Sequence, residues 1–111
     1  MTDRELLEAA AKAAGIKALR DPYGVWRDCT DTDPAMNMLA FPIWNPLESD
    51  GDALRLAVKL RMSVDPWGAG ASAVVTVNNR ALVAESHYGD DPERATRRAI
   101  VRAAAAIALR K

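Results

Sequence analysis

Few side chains in this sequence are suited to nucleophilic or metal chemistry. The chain contains one cysteine, Cys29, and one histidine, His87. A thiol and an imidazole can form a nucleophile–base pair, but the pair also needs a third group that orients the base, and no local motif supplies one. Zinc needs three or four well-placed ligands, and this set is too small. The sequence therefore predicts no metal site and no cofactor, and we expect a protein that is not an enzyme.

Two other stretches resemble ligand-binding motifs only in part. Gly68-Ala69-Gly70 lacks the lysine of a phosphate-binding loop, and it precedes a predicted strand where a helix N-terminus is needed. The acidic pairs Asp50/Asp52 and Asp90-Asp91 lack the spacing of a calcium loop. Both acidic pairs fall where a helix is expected to begin, so helix capping explains them.

Four arginines lie on one side of the C-terminal segment, at about 100° per residue: Arg94, Arg97, Arg98 and Arg102. Such a stripe contacts phosphates in nucleic-acid-binding proteins. It is also typical of the solvated face of an amphipathic helix, partly paired with acids elsewhere. We favour the second interpretation, because 15 basic and 15 acidic residues give a formal net charge of zero. Nucleic-acid binding through these arginines remains the alternative.

Two tryptophans beside prolines are candidate binding residues. Trp44 lies two residues before Pro46, and Trp67 directly follows Pro66. Aromatic side chains on loops often anchor protein interfaces, so Trp44 and Trp67 are candidate anchors for a partner. Trp44 and Leu47 also fit a hydrophobic staple that packs on the following helix, and we favour this structural interpretation of the segment.

Three helices are predicted to position these residues. The capping box Thr2-Asp3-Arg4-Glu5 and the terminating Gly15 predict a helix over about residues 3–14. Ser49 or Asp50 caps a second helix, and Asp91 followed by proline starts a third from about Pro92 to Leu109. In the second helix, one broad face is expected to be apolar and the other polar. The apolar face comprises Ala53, Leu54, Leu56, Ala57 and Leu60, and the polar face comprises Asp52, Arg55 and Lys59.

The remaining segments predict short antiparallel strands. Residues 16–29 predict a hairpin around Asp21-Pro22-Tyr23-Gly24. Strands over 71–77 and 81–86 are joined by a turn at Asn78-Asn79. A strand beginning at Ser63-Val64-Asp65 is expected to be interrupted at Pro66. Residues 30–37 read as a loop and 37–43 as an extended segment or strand.

Composition limits the class of protein. The chain has 111 residues, of which 50% are hydrophobic, which suits a single domain spanning 1–111. No secretory signal precedes the first helix, so we expect a cytoplasmic location. The longest apolar runs are far shorter than the roughly 20 residues of a membrane span. The elements predict an α+β fold, a small α/β/α sandwich with a mainly antiparallel sheet packed between helices.

Two blocks of the sequence resemble the phage ABA-sandwich domain family, small proteins encoded by phages and prophages. The first is Trp44-Asn45-Pro46-Leu47 with Ser49-Asp50-Gly51-Asp52-Ala53 and the helix after it. The second is Asp91-Pro92-Glu93-Arg94-Ala95-Thr96-Arg97-Arg98-Ala99-Ile100. The resemblance implies a sheet between helical layers and an accessory role during infection or lysogeny. It supplies no active-site residues.

The sequence thus leads us to expect a non-catalytic protein-binding or modulating module in the cytoplasm of a bacterial host. The expected partner is another protein, of the host or of the phage. Nucleic acid is the less favoured partner and a membrane is not expected. The sequence leaves the oligomeric state open.

Overall fold

The computed structural model describes residues 1–30, 37–67, 70–77, 80–87 and 91–109. Three α-helices, one short 3₁₀ helix and five strands occur in these ranges. In chain order they are α1 (Asp3–Ala14), β1 (Ala18–Arg20), β2 (Trp26–Asp28), η1 (Met38–Ala40), α2 (Asp50–Lys59), β3 (Ser63–Trp67), β4 (Gly70–Val77), β5 (Arg80–His87) and α3 (Pro92–Leu109). The predicted Asn78-Asn79 turn and most of the predicted 30–37 loop lie outside the described residues.

The ends of α1 are set by local side chains, as predicted. The Thr2 hydroxyl accepts a hydrogen bond from the Glu5 N–H at 3.1 Å, and the Glu5 carboxylate accepts from the Thr2 N–H at 3.3 Å. This bond to the backbone lowers the pKa of Glu5. Gly15 ends the helix with φ of 70°, a left-handed conformation that glycine adopts without a Cβ penalty.

The other two helices also begin at capping side chains. The Ser49 hydroxyl accepts from the Asp52 N–H at 3.2 Å, so Ser49 is the cap of α2 and Asp50 is its first helical residue. At α3, the Asp91 carboxylate accepts from the Arg94 N–H at 3.0 Å, with Pro92 as the first helical residue. The predicted range of α3 is confirmed.

The predicted first hairpin is confirmed as an antiparallel pair of β1 and β2. Its turn is held by Asp21, whose carboxylate accepts from the N–H groups of Tyr23 at 2.8 Å and Val25 at 2.9 Å. The same carboxylate accepts from Arg27 Nε at 3.0 Å. Gly24 follows with φ of 81°, which explains why glycine closes this turn.

A three-stranded antiparallel sheet has the order β3-β4-β5. The predicted hairpin of β4 and β5 is confirmed, whereas the expected interruption of β3 at Pro66 is wrong, because Pro66 pairs in register with Ala71. A proline can keep its place in a ladder when its nitrogen, which carries no hydrogen, faces away from the neighbouring strand. β3 lies at the edge of the sheet, which is where proline is tolerated within a strand.

Helix α3 is the central element of the core. It packs against α1, α2 and all three strands of the larger sheet. Ala71, Ala73 and Val75 of β4 are buried on the face that meets the helices, while Val83 and Glu85 of β5 are exposed on the opposite face. The α+β class, with helices packed against an antiparallel sheet, is confirmed.

Two predictions about burial and local structure are wrong. Leu54, predicted to face the core, is 64% exposed, whereas Asp52, predicted to face solvent, is buried. The Asp52 carboxylate accepts from the Asn45 N–H at 2.9 Å and from Arg55 Nη2 at 2.6 Å, and these bonds compensate for its burial. In place of an extended strand over 37–43, the chain forms η1 and a single bridge between Arg27 and Ile43.

Candidate functional site

An open apolar groove lies where α2, the edge strand β3 and the first half of α3 meet. Its volume is about 390 Å³. The apolar side chains that line it come from all three elements and are Ala53, Leu54, Ala57, Val64, Pro66 and Ile100. We call this feature the α2–β3–α3 groove.

Helix α2 exposes two large apolar side chains beside this groove. Leu54 is 64% exposed and Val58 is 67% exposed. They are four residues apart, so they lie one turn apart on the same side of the helix. The opposite side of α2 is anchored by Leu56, which is buried in the core. The helix therefore carries large apolar side chains that do not pack in the core of this chain.

The rim of the groove is acidic where α2 and α3 begin. Asp50 and Glu93 are both exposed at these two helix N-termini. Arg97 is half-buried below them: its Nη1 donates to Asp50 at 2.6 Å and its Nε donates to the Leu47 carbonyl at 2.9 Å. Because Arg97 is held on both sides, it fixes α3 against the start of α2.

The structure does not place Trp44 in a binding surface. The side chain is 5% exposed and belongs to the core that contains Leu47 and Leu56. Its backbone N–H donates to the Trp26 carbonyl at 2.9 Å. Trp44 therefore packs inside the protein, in agreement with the structural interpretation, and it is not a surface anchor.

Trp67 is 37% exposed at the end of β3. Side chains of successive strand residues point to opposite faces, so Trp67 lies on the face opposite to Val64 and Pro66. It is in register with Gly70, which has no side chain. The structure therefore does not bring Trp67 together with the α2–β3–α3 groove.

Arg97, Arg98 and Arg102 each bond to another element of the same chain. Besides Arg97, Arg98 Nη1 donates to Asp3 at 2.9 Å and Arg102 Nη1 donates to the Glu85 carbonyl at 2.9 Å. These contacts connect α3 to α1 and β5. Arg94 lies exposed in the first turn of α3. Arg97 and Arg98 are thus paired with acids of other elements, as the favoured interpretation expected, whereas Arg102 bonds to a backbone carbonyl.

Cys29 and His87 are not brought together by any described contact. Cys29 is buried, and its Sγ donates to the Arg27 carbonyl at 3.7 Å. The side chain of His87 lies outside what the structure describes, so the pairing of these two residues is untested. Among the described ranges, no three His, Cys, Asp or Glu side chains are grouped as a metal site requires.

The sequence contained one signal for the groove that pattern reading overlooked. Residues 53–60, from within α2 to its C-cap, include six apolar side chains, Ala53, Leu54, Leu56, Ala57, Val58 and Leu60. A single core-facing stripe on a surface helix holds three or four apolar residues per two turns. The surplus indicates a second apolar face, but only the fold shows that Leu54 and Val58 form it.

The described helices include none with the length and apolar character of a membrane span. Comparison with known proteins finds no matching family model, no matching curated protein and no matching solved structure. The resemblance to phage ABA-sandwich proteins therefore stays a prediction from the sequence.

Proposed function

We propose that this protein is a non-catalytic protein-binding module, and that it docks an amphipathic helix of its partner in the α2–β3–α3 groove. The observation that carries the proposal is the apolar groove beside exposed Leu54 and Val58. The phage or prophage origin rests on the sequence resemblance alone.

The size and composition of the groove support a macromolecular ligand. Contiguous exposed apolar surface on a soluble protein marks an interaction site more often than an isolated exposed leucine does. Here exposed Leu54 lines the groove together with Val64, Pro66 and Ile100, and exposed Val58 lies one turn further along α2. A helix laid in such a groove inserts side chains at positions i, i+3 or i+4, and i+7.

The edge of the sheet favours a helix over an added strand. Strand addition depends on a row of free backbone N–H and C=O groups. β3 is an edge strand, and its Pro66 carries no backbone N–H. An edge strand with fewer backbone donors is a less favourable template for a fourth strand.

The charges at the rim indicate the flanks of the partner helix. Asp50 and Glu93 lie at one end of the groove, so a partner with lysine or arginine beside its apolar stripe gains attraction there. This attraction falls with salt, whereas the apolar contacts do not.

Nucleic-acid binding receives less support. Arg97 and Arg98 are each within 2.9 Å of a carboxylate oxygen of this chain. Arg102 is engaged with a backbone carbonyl of β5. Phosphate contacts would compete with these bonds, whereas an apolar ligand in the groove leaves them in place.

The proposal is tested by selecting ligands from a displayed library of short helical peptides. We expect enrichment of peptides with apolar residues at helical spacing and flanking lysine or arginine. Their affinity, measured by fluorescence anisotropy, is expected to fall at least about tenfold in Leu54→Lys, because the new ammonium enters the groove. The matched control is Val83→Lys, since Val83 is 60% exposed on the far face of the sheet.

Two results would overturn this function. One is enrichment of peptides that lack helical apolar spacing. The other is equal affinity of wild type and Leu54→Lys for the selected helical peptides, with both proteins shown to be folded by circular dichroism.

A further inference from the structure

We infer that the helix which docks beside the α2–β3–α3 groove is α2 of a second copy of the chain. The protein then forms a symmetric dimer in which the two α2 helices pack antiparallel. This inference rests on the proposed function and names its partner. It is carried by the order of exposed charged and apolar side chains from the start to the end of α2.

Along its axis, α2 runs from an acidic start, past two exposed apolar side chains, to a basic end. Asp50, Leu54 and Val58 are spaced four residues apart and lie on one side of the helix. All three are exposed. Lys59, the last helical residue, is exposed on the flank of this side, and exposed Arg61 follows two residues after the helix ends.

This order is complementary to itself in the antiparallel direction. A two-fold interface brings residue i of one copy to residue j of the other, and j to i. An axis between Leu54 and Val58 places each Leu54 against the Val58 of the second copy. It also places each acidic start of α2 beside the basic end of the other helix, and opposed helix dipoles favour the same direction.

The charges needed for this pairing are accessible. In the described part of the chain, neither Lys59 nor Arg61 makes an ion pair. Asp50 accepts from Arg97 through one oxygen, yet its side chain is 73% exposed. Glu48, just before the cap of α2, is also exposed. A parallel pairing would instead bring like charges together at both ends.

The length of α2 sets the expected strength. Its 10 residues span about 15 Å at 1.5 Å per residue. Even with the rim of the groove added, such an interface falls in the small class that associates weakly and reversibly. We therefore expect a concentration-dependent equilibrium, to be followed from about 10 µM to 1 mM.

The first test is sedimentation velocity across this range. Wild type is expected to shift from monomer to dimer as concentration rises. Leu54→Lys and Val58→Lys are each expected to raise the dimer dissociation constant at least about tenfold, because a charge enters the apolar centre. Val83→Lys, with a similarly exposed starting residue, is expected to behave as wild type.

A charge exchange then tests the antiparallel direction. One variant carries Lys59→Glu with Arg61→Glu, so that both ends of its α2 are acidic. The other carries Glu48→Lys with Asp50→Lys, so that both ends are basic. Each alone is expected to dimerise at least about tenfold more weakly than wild type, and an equal mixture is expected to form a heterodimer close to wild-type strength.

Folding of each variant is checked by circular dichroism, because Asp50→Lys removes the bond to Arg97. If that variant does not fold, Glu48→Lys alone replaces it, with the same expected rescue by the acidic variant. A mixture no stronger than the separate variants would overturn the antiparallel pairing.

The outcomes separate this inference from the proposed function. If wild type stays monomeric at 1 mM but binds selected helical peptides through Leu54, the second copy is not the partner and the proposed function stands. If a dimer forms that Leu54→Lys leaves unchanged, the dimer uses another face and the inference is wrong. If the chain neither dimerises nor binds helical peptides, both are overturned.

Discussion

At the residue scale, Asp21 shows how one carboxylate organises a whole turn. Burial raises the pKa of Asp21, but the hydrogen bonds from Val25, Arg27 and Tyr23 outweigh it, so that the pKa lies below its ordinary value of 3.8. The ionised form is therefore the one that the folded turn favours.

This shift predicts a particular dependence of stability on pH. Because the pKa is lower in the folded state, the stabilisation is complete above the unfolded pKa of about 4 and is lost as pH falls through the folded value. In Asp21→Asn we expect a lower melting temperature at pH 7, since the bond with Arg27 is weakened. The difference from wild type should narrow below about pH 4. Thermal melts from pH 7 to pH 2 measure this.

Glu5→Gln serves as the control for the loss of any one carboxylate, because Glu5 is exposed and its pKa is also lowered. At pH 7 it should lower the melting temperature far less than Asp21→Asn does. A difference between Asp21→Asn and wild type that stays constant down to pH 2 would contradict the assigned role of Asp21.

At the scale of single elements, helix ends were predictable, whereas the buried and exposed sides of α2 were predictable only in part. The ends depend on side chains within a few residues, such as Thr2, Ser49 and Asp91, and the sequence displays them directly. The exposed side of α2 depends on where α3 and the core lie. This is why Leu54 was assigned to the core and Asp52 to solvent, although the boundaries of the helix were found.

The same distinction applies to the candidate site. Trp44 and Trp67 were selected by residue type, which says nothing about which face of an element meets the core. Pro66 was read as an interruption of β3, although an edge strand accepts proline at alternate positions. The groove is formed by residues from three separate segments, and their meeting depends on the tertiary fold.

Arg97 is expected to contribute to stability by joining two helices. In Arg97→Ala the Leu47 carbonyl and Asp50 lose their donor, and because Arg97 is largely buried, the free energy of unfolding should fall by about 1–3 kcal/mol. Urea denaturation measures this change. Arg4→Ala is the control, since Arg4 pairs with Glu8 at an exposed site of α1, and its loss should cost under about 1 kcal/mol. Equal effects of the two substitutions would contradict the role of Arg97.

At the scale of the whole molecule, the core depends on close approach of helices with small side chains. Ala99, Ala103 and Ala104 of α3 are fully buried, as is Ala10 of α1. Because alanine is small, it lets the backbones of neighbouring helices approach closely. The neighbours of α3 are known only from the structure, in which α1, α2 and the sheet pack around it.

This packing predicts a large penalty for added volume. Ala103→Leu should lower the free energy of unfolding by about 1–3 kcal/mol or more, because the neighbouring backbones must separate. Ala106→Leu, at a half-buried position of the same helix, should cost less. Denaturant unfolding of the two variants gives the comparison. An unchanged free energy of unfolding in Ala103→Leu would contradict the close packing around Ala103.

The contact of α1 with α3 also has a kinetic consequence. The bond between Arg98 and Asp3 joins residues 95 positions apart, and the two helices pack along the same interface. A helix of 12 residues is marginal on its own in water, so α1 gains its stability only after this distant loop has closed. Closure of so long a segment carries an entropic barrier before any apolar burial compensates it. Refolding should therefore take milliseconds or longer, as in proteins rich in non-local contacts, although the fold contains three helices.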